Sequence, residues 1–166
     1  MKRILKYFLL VLGGIFVLNL LSWFFYGQEQ ILLVGANVEE VESWIDKTDT
    51  LYLFIGEVDY DNYKQFSDFN SSTVEKLVTK IHSTGRTVII DERPLPMHVK
   101  SDDGKELLNS PDSNAYSYDV QVVTPFPLVA KVYKLIWVPG FGTDREHLYI
   151  WFFKWFCVKD LGGGVS

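Results

Sequence analysis

The chain has 166 residues, 48% of them hydrophobic and 16% aromatic, with a formal net charge of −5. One cysteine excludes a disulfide scaffold, the apolar content excludes a disordered tail, and the acidic balance argues against a nucleic-acid partner. The average conceals a split: residues 1–26 hold three bases (Lys2, Arg3, Lys6) and no acid, whereas residues 27–166 hold 13 bases and 21 acids, a net of −8.

The first segment reads as an anchor. Between Ile4 and Tyr26 only Lys6, Gly13, Gly14, Asn19 and Ser22 are not apolar, and Tyr7 to Tyr26 carries no charge. At about 1.5 Å of rise per residue, such a run crosses a hydrocarbon core of roughly 30 Å. No small-x-small cleavage pattern follows Trp23-Phe24-Phe25-Tyr26-Gly27, and no cysteine follows that could accept a lipid, which favours an uncleaved signal-anchor. Three bases precede the span, and Glu29, Glu39, Glu40, Glu42 and Asp46 follow it before Lys47. That asymmetry predicts a single-pass protein of the inner (plasma) membrane. Its amino terminus would be cytoplasmic and its carboxy-terminal domain periplasmic or extracellular. Trp23 to Tyr26 would form the outer aromatic belt. Gly13, Gly14 and Asn19 offer a weak helix–helix contact, without small-xxx-small spacing.

The rest predicts one α+β domain. Residues 27–36 read as a connector, with a short strand at Ile31-Leu32-Leu33-Val34. The domain proper would cover 37–161, with 162–166 as a flexible tail. Asn37 caps a first expected helix bearing Val38, Val41, Trp44 and Ile45. Leu51 to Val58 is an apolar run expected to be a strand covered on both faces. A second helix is predicted over Ser72–Thr84: Ser72 with Glu75 forms a capping box, Val74, Leu77, Val78 and Ile81 form the apolar stripe, and Gly85 ends it. Arg86 to Asp91 follows as a second buried strand, Thr87-Val88-Ile89-Ile90, parallel to the first through the helical crossover. Residues 93–117 read as a long exposed loop. Tyr118 to Thr124 reads as a strand, and Leu128–Val138 with His147–Val158 as a long carboxy-terminal hairpin. Cys157, in an apolar run, reads as a buried, inert thiol. The predicted fold is therefore a single transmembrane helix and a small mixed sheet with two helices and that hairpin.

Motifs for chemistry are few. His82, His98 and His147 have no metal-ligand spacing, and no nucleophile elbow or phosphate loop is present, so no cofactor, metal or catalytic residue is assigned. If the two strands are parallel, Glu57 and Asp59 end the first and Asp91 and Glu92 the second, at one sheet edge. Four carboxylates there could hold a hard cation or serve as an acid–base pair. The other unusual feature is aromatic. In a continuous strand, Tyr149, Trp151, Phe153 and Trp155 share one face and Leu148, Ile150, Phe152, Phe156 and Val158 the other. Both faces need cover, either as a central strand buried twice within its own domain or against the membrane surface or a partner, an interface that Trp and Tyr suit. Two functional readings follow. The first is a membrane-anchored extracytoplasmic domain that binds a protein partner through Tyr149, Trp151, Phe153 and Trp155. The acidic charge suits a basic partner, and an immunity or inhibitor protein, or an accessory subunit of an envelope machine, has this layout. The alternative is a membrane-tethered hydrolase or metal-binding domain using Glu57, Asp59, Asp91 and Glu92.

Overall fold

The computed structural model describes residues 2–36, 50–54, 64, 66–91, 99–100, 106–107, 116–138 and 141–164. One long helix dominates the amino-terminal part. It comprises α1 (Lys2–Ser22), a π-helical turn at Trp23–Gly27 and α2 (Gln28–Gly35), with helical backbone angles across both joints. From Arg3 to Gly35 it is 33 residues long, so it reaches about 50 Å. That is well beyond the roughly 30 Å of a hydrocarbon core. It is long and apolar enough to cross a membrane, and among the described residues it is the one helix that is. Arg3 to Leu18 are exposed throughout; Asn19 is the first buried residue.

The expected connector with a short strand at Ile31–Val34 is thus helical instead. A short apolar run has no period of its own to separate strand from helix. Here the run continues a helix already under way, and Ile31, Leu32, Gly35 and Ala36 turn into the core.

Behind the helix stands a six-stranded mixed sheet. Its strands are β1 (Thr50–Phe54), β2 (Thr87–Asp91), β5 (Tyr116–Phe126), β6 (Val129–Val138), β7 (Phe141–Trp151) and β8 (Trp155–Gly162), in the spatial order β2-β1-β5-β6-β7-β8. β1 lies parallel to β2, with Thr50 opposite Thr87 and Phe54 opposite Asp91, and parallel to β5. β2, expected to be buried, is an edge strand among the described residues, with Ile89 and Ile90 exposed. β5 to β8 form an antiparallel meander. The α+β class, the parallel pair and the single long apolar helix are as the sequence predicts. Between β1 and β2 runs α3 (Ser71–His82). Its cap is Asn70, whose side chain accepts from Ser72 N at 3.0 Å, one residue before the helix rather than at Ser72. Val74, Leu77 and Ile81 are buried, and Gly85 takes φ +87° at the exit. The expected helix at 37–45 lies outside the described residues. In the expected loop at 93–117 the described residues form two short strands, β3 (Val99–Lys100) and β4 (Glu106–Leu107), paired with each other, and the start of β5.

The largest correction concerns the carboxy-terminal run. Residues 147–158 are not one strand. β7 ends at Trp151, the chain turns at Phe152–Phe153–Lys154, and β8 runs back beside it. Phe153 adopts φ +56° in that turn. A left-handed seat is normally held by Gly or Asn, so Phe gives no turn signal in the sequence. The tail is also tied down in part: Gly164 O accepts from Asp144 N, and Gly164 N donates to Asp144 Oδ1.

The core lies between α2, α3 and one sheet face. It contains Leu51, Leu53, Tyr118, Val120, Val122, Ala130 and Val132 from the strands, and Leu77 and Ile81 from α3. At Gly35 the helix lies close against the sheet: an added Cβ would be 2.8 Å from Val132 Cγ1. Lys80 Nζ donates to Leu33 O at 2.9 Å and ties α3 to α2.

Candidate functional site: the aromatic seam between helix and sheet

Helix residues that turn toward the domain recur at 19, 23, 27, 31 and 35, with Trp23 partly buried and the others buried. A spacing of four outruns 3.6 residues per turn by about 40° at each step. The π turn at Trp23–Gly27 inserts extra chain and takes back part of that rotation. Asn19 and Gly35 therefore both meet the same sheet. Gly27 is required inside the turn, because a Cβ there would lie 2.6 Å from Trp23 Cδ1.

The sheet answers with two indoles. Trp151 Nε1 donates to Ser22 Oγ at 3.1 Å and to Asn19 O at 3.3 Å. Trp155 Nε1 donates to Gly27 O at 2.8 Å. The Asn19 amide closes the contact. Its Oδ1 accepts from Phe153 N at 2.7 Å, and its Nδ2 donates to Trp151 O at 3.4 Å. The two indoles meet edge to face, 5.4 Å apart. Burying an indole removes 150–250 Å² from water, worth on the order of 4–6 kcal/mol as an upper bound, whereas each hydrogen bond nets about 1 kcal/mol. Burial thus supplies most of the adhesion, and the directional bonds fix its register.

The four aromatic residues singled out in the sequence divide accordingly. Tyr149, Trp151 and Trp155 are buried, the two tryptophans on the chain's own helix, and Phe153 stays half-exposed at the turn. The signal that sequence reading did not connect was the lone amide Asn19 in an apolar run, a polar group in need of a partner. Cys157, expected to be buried, is exposed on β8, the last strand of the sheet among the described residues.

Two exposed surfaces remain beside this seam. One is aromatic. Phe24, Phe25 and Tyr26 point away from the domain, and Phe126, Phe152 and Phe153 protrude from the β5–β6 and β7–β8 turns with 69%, 57% and 47% of their surface free. These turns lie at one end of the sheet, since Trp151 N bonds to Leu128 O at 2.8 Å. The other surface is β8, where Phe156, Val158 and Leu161 are exposed next to Ile150 of β7. Among the described residues β8 pairs only with β7.

The acidic edge is described only at Asp91, which ends β2 opposite Phe54; Glu57, Asp59 and Glu92 lie outside the described residues. Among the described residues no three His, Cys, Asp or Glu side chains gather to hold a metal. His82 Nδ1 lies 3.0 Å from Arg86 O, and His147 is buried in β7. The buried Asp119 of β5 is the one described acid with a strongly raised pKa, lifted from 3.8 to about 6. Burial raises it, partly offset by hydrogen bonds from the Gln121 amide (3.0 Å) and the Val120 backbone. Comparisons with protein-family models, with curated proteins and with solved structures find no match to this chain.

Proposed function

We propose that this chain is a single-pass membrane-anchored protein whose sheet domain lies outside the cytoplasm and binds a protein partner there. An immunity or inhibitor protein, or an accessory subunit of an envelope machine, would have this form. The observation that carries the reading is β8, among the described residues an edge strand, whose apolar side chains Phe156, Val158 and Leu161 are exposed. An unpaired apolar edge is a template for another strand, with backbone hydrogen bonds supplying affinity and alternate side chains specificity. The indole seam supports it by joining the strand firmly to the anchor. The charge supports it too: the basic start favours a cytoplasmic amino terminus, and a net of −8 over residues 27–166 favours fast encounter with a basic partner.

Cys157 is the chain's single cysteine and lies exposed on β8, so it can carry a photo-crosslinker without other changes. In membranes of the source cell, crosslinking from Cys157 is expected to give a discrete adduct whose yield falls with rising salt. A control with Cys157→Ser and Ser83→Cys, which moves the probe to the exposed end of α3, should not give it. Identical bands from both positions, or none from either, would end the proposal. Labelling of Cys157 in intact cells by a membrane-impermeant maleimide tests the orientation.

A further inference from the structure

We propose that membrane lipid occupies the aromatic end of the sheet: the β5–β6 and β7–β8 turns dip into the leaflet on the domain's side, next to the helix. This rests on the reading of the helix as a membrane span.

The depth follows from one contact. Phe153 N is bound to Asn19 Oδ1, so the β7–β8 turn meets the helix at Asn19 and not at the aromatic belt. Asn19 precedes Trp23–Tyr26 by four to seven residues, about 6–10 Å along the axis toward the middle of the apolar run. With the belt at headgroup level, that distance puts the turn at the acyl boundary, the depth reached by interfacial apolar groups.

The side chains at that end fit lipid. Phe152 and Phe153 contact each other edge to face at 5.2 Å and are otherwise largely free, as is Phe126. Packing within the chain does not account for Phe at 153. A left-handed residue that is not Gly costs about 1–2 kcal/mol, and half of this ring is bare. An apolar side chain retained at such a position belongs against an apolar medium. Charge agrees. In a domain of net −8, residues 120–143 and 147–159 contain no Asp or Glu, and Lys154 stands at the tip of the β7–β8 turn. Lys154 sits in the turn itself, with Nζ 4.8 Å above the Phe156 ring, placed to reach phosphate while its stem lies in the apolar zone. An acidic domain with acid-free tips at the end from which its anchor leaves is matched to an anionic lipid surface.

The test uses the full chain in nanodiscs of phosphatidylcholine with a minority of phosphatidylglycerol. In a Cys157→Ser background, single cysteines at Phe153, Phe152, Phe16 (in the span) and Ser83 (in water) carry an environment-sensitive dye. Acyl-chain nitroxide lipids are expected to quench the dye at 153 and 152 severalfold more than at 83, with iodide protection close to that at 16. The result should be the same at one chain per disc. If 16 is lipid-quenched but 152 and 153 respond to iodide like 83, the turns lie in water and this proposal fails with the anchor intact. If 16 itself responds to iodide, the anchor reading fails and takes this one with it. Protection at 152 and 153 that disappears at one chain per disc would assign the aromatic end to a second copy instead of lipid.

Discussion

Asn19 shows how much one polar side chain can organise in an apolar setting. It is 4% exposed and satisfies both ends of its amide across 132 and 134 residues of chain. Its backbone carbonyl also takes part of the Trp151 indole. Removing the amide leaves Phe153 N and Trp151 O without these partners, and a buried polar group left unpaired costs about 1–3 kcal/mol. Asn19→Ala should therefore lower the denaturant midpoint of the chain in mild detergent by an amount in that range. Trp151 and Trp155 emission should report the loss together with the global transition. A change below a few tenths of a kcal/mol would mean that indole burial alone holds the seam. The rings set adhesion and the amide sets register, so mispairing of the β7–β8 turn is the expected failure in this variant.

At the scale of elements, the helix and the sheet fit through absent side chains as much as through present ones. Gly35 faces Val132 so closely that an added Cβ must displace one of the valine methyls. Gly35→Ala should cost about 1–3 kcal/mol by overpacking. Combining it with Val132→Ala should cost less than the two singles added, because the second change frees the space the first requires. Additive costs in the double-mutant cycle would show that the helix moves away instead of clashing. The same elements explain what could be read in the sequence. α3 was legible because stripe, cap region and terminal Gly85 agree, even though Asn70 and not Ser72 caps it. The parallel β1–β2 pair was legible because a strand-helix-strand run has few solutions. The β7–β8 hairpin was not, because its turn is Phe152-Phe153-Lys154 and none of these is a turn former. Tyr149, Trp151 and Trp155 stood out as unusual, but their neighbour was the chain's own helix, more than a hundred residues away. Periodicity within a strand says which residues share a face and nothing about what covers it.

For the whole molecule, the buried Asp119 links stability to pH. Its carboxyl would titrate near 3.8 in the unfolded chain and does so near 6 in the fold. Between those values the native state holds a proton the unfolded state has lost, so stability falls as pH rises through the window. The total from this one group is roughly 3 kcal/mol, complete by about pH 7. Asp119→Asn removes the titration. The variant should melt above the parent at about pH 7, and the gap should close as pH falls to about 4. A gap that does not change with pH would show that Asp119 titrates normally.

The unbroken helix has a further geometric meaning. A flexible tether lets a domain tumble and search a hemisphere above its attachment point. Here the shaft continues through a π turn into the body it carries, and two indoles and an amide key the two together. Rotation of the shaft about its own axis is then rotation of the whole body. The edge strand β8, eight residues or about 26 Å long, is presented at one height and one bearing. With the helix in a membrane and a partner on β8, as proposed above, that partner would have to arrive at one height, which would favour molecules themselves confined to the plane and turn a three-dimensional search into a lateral one.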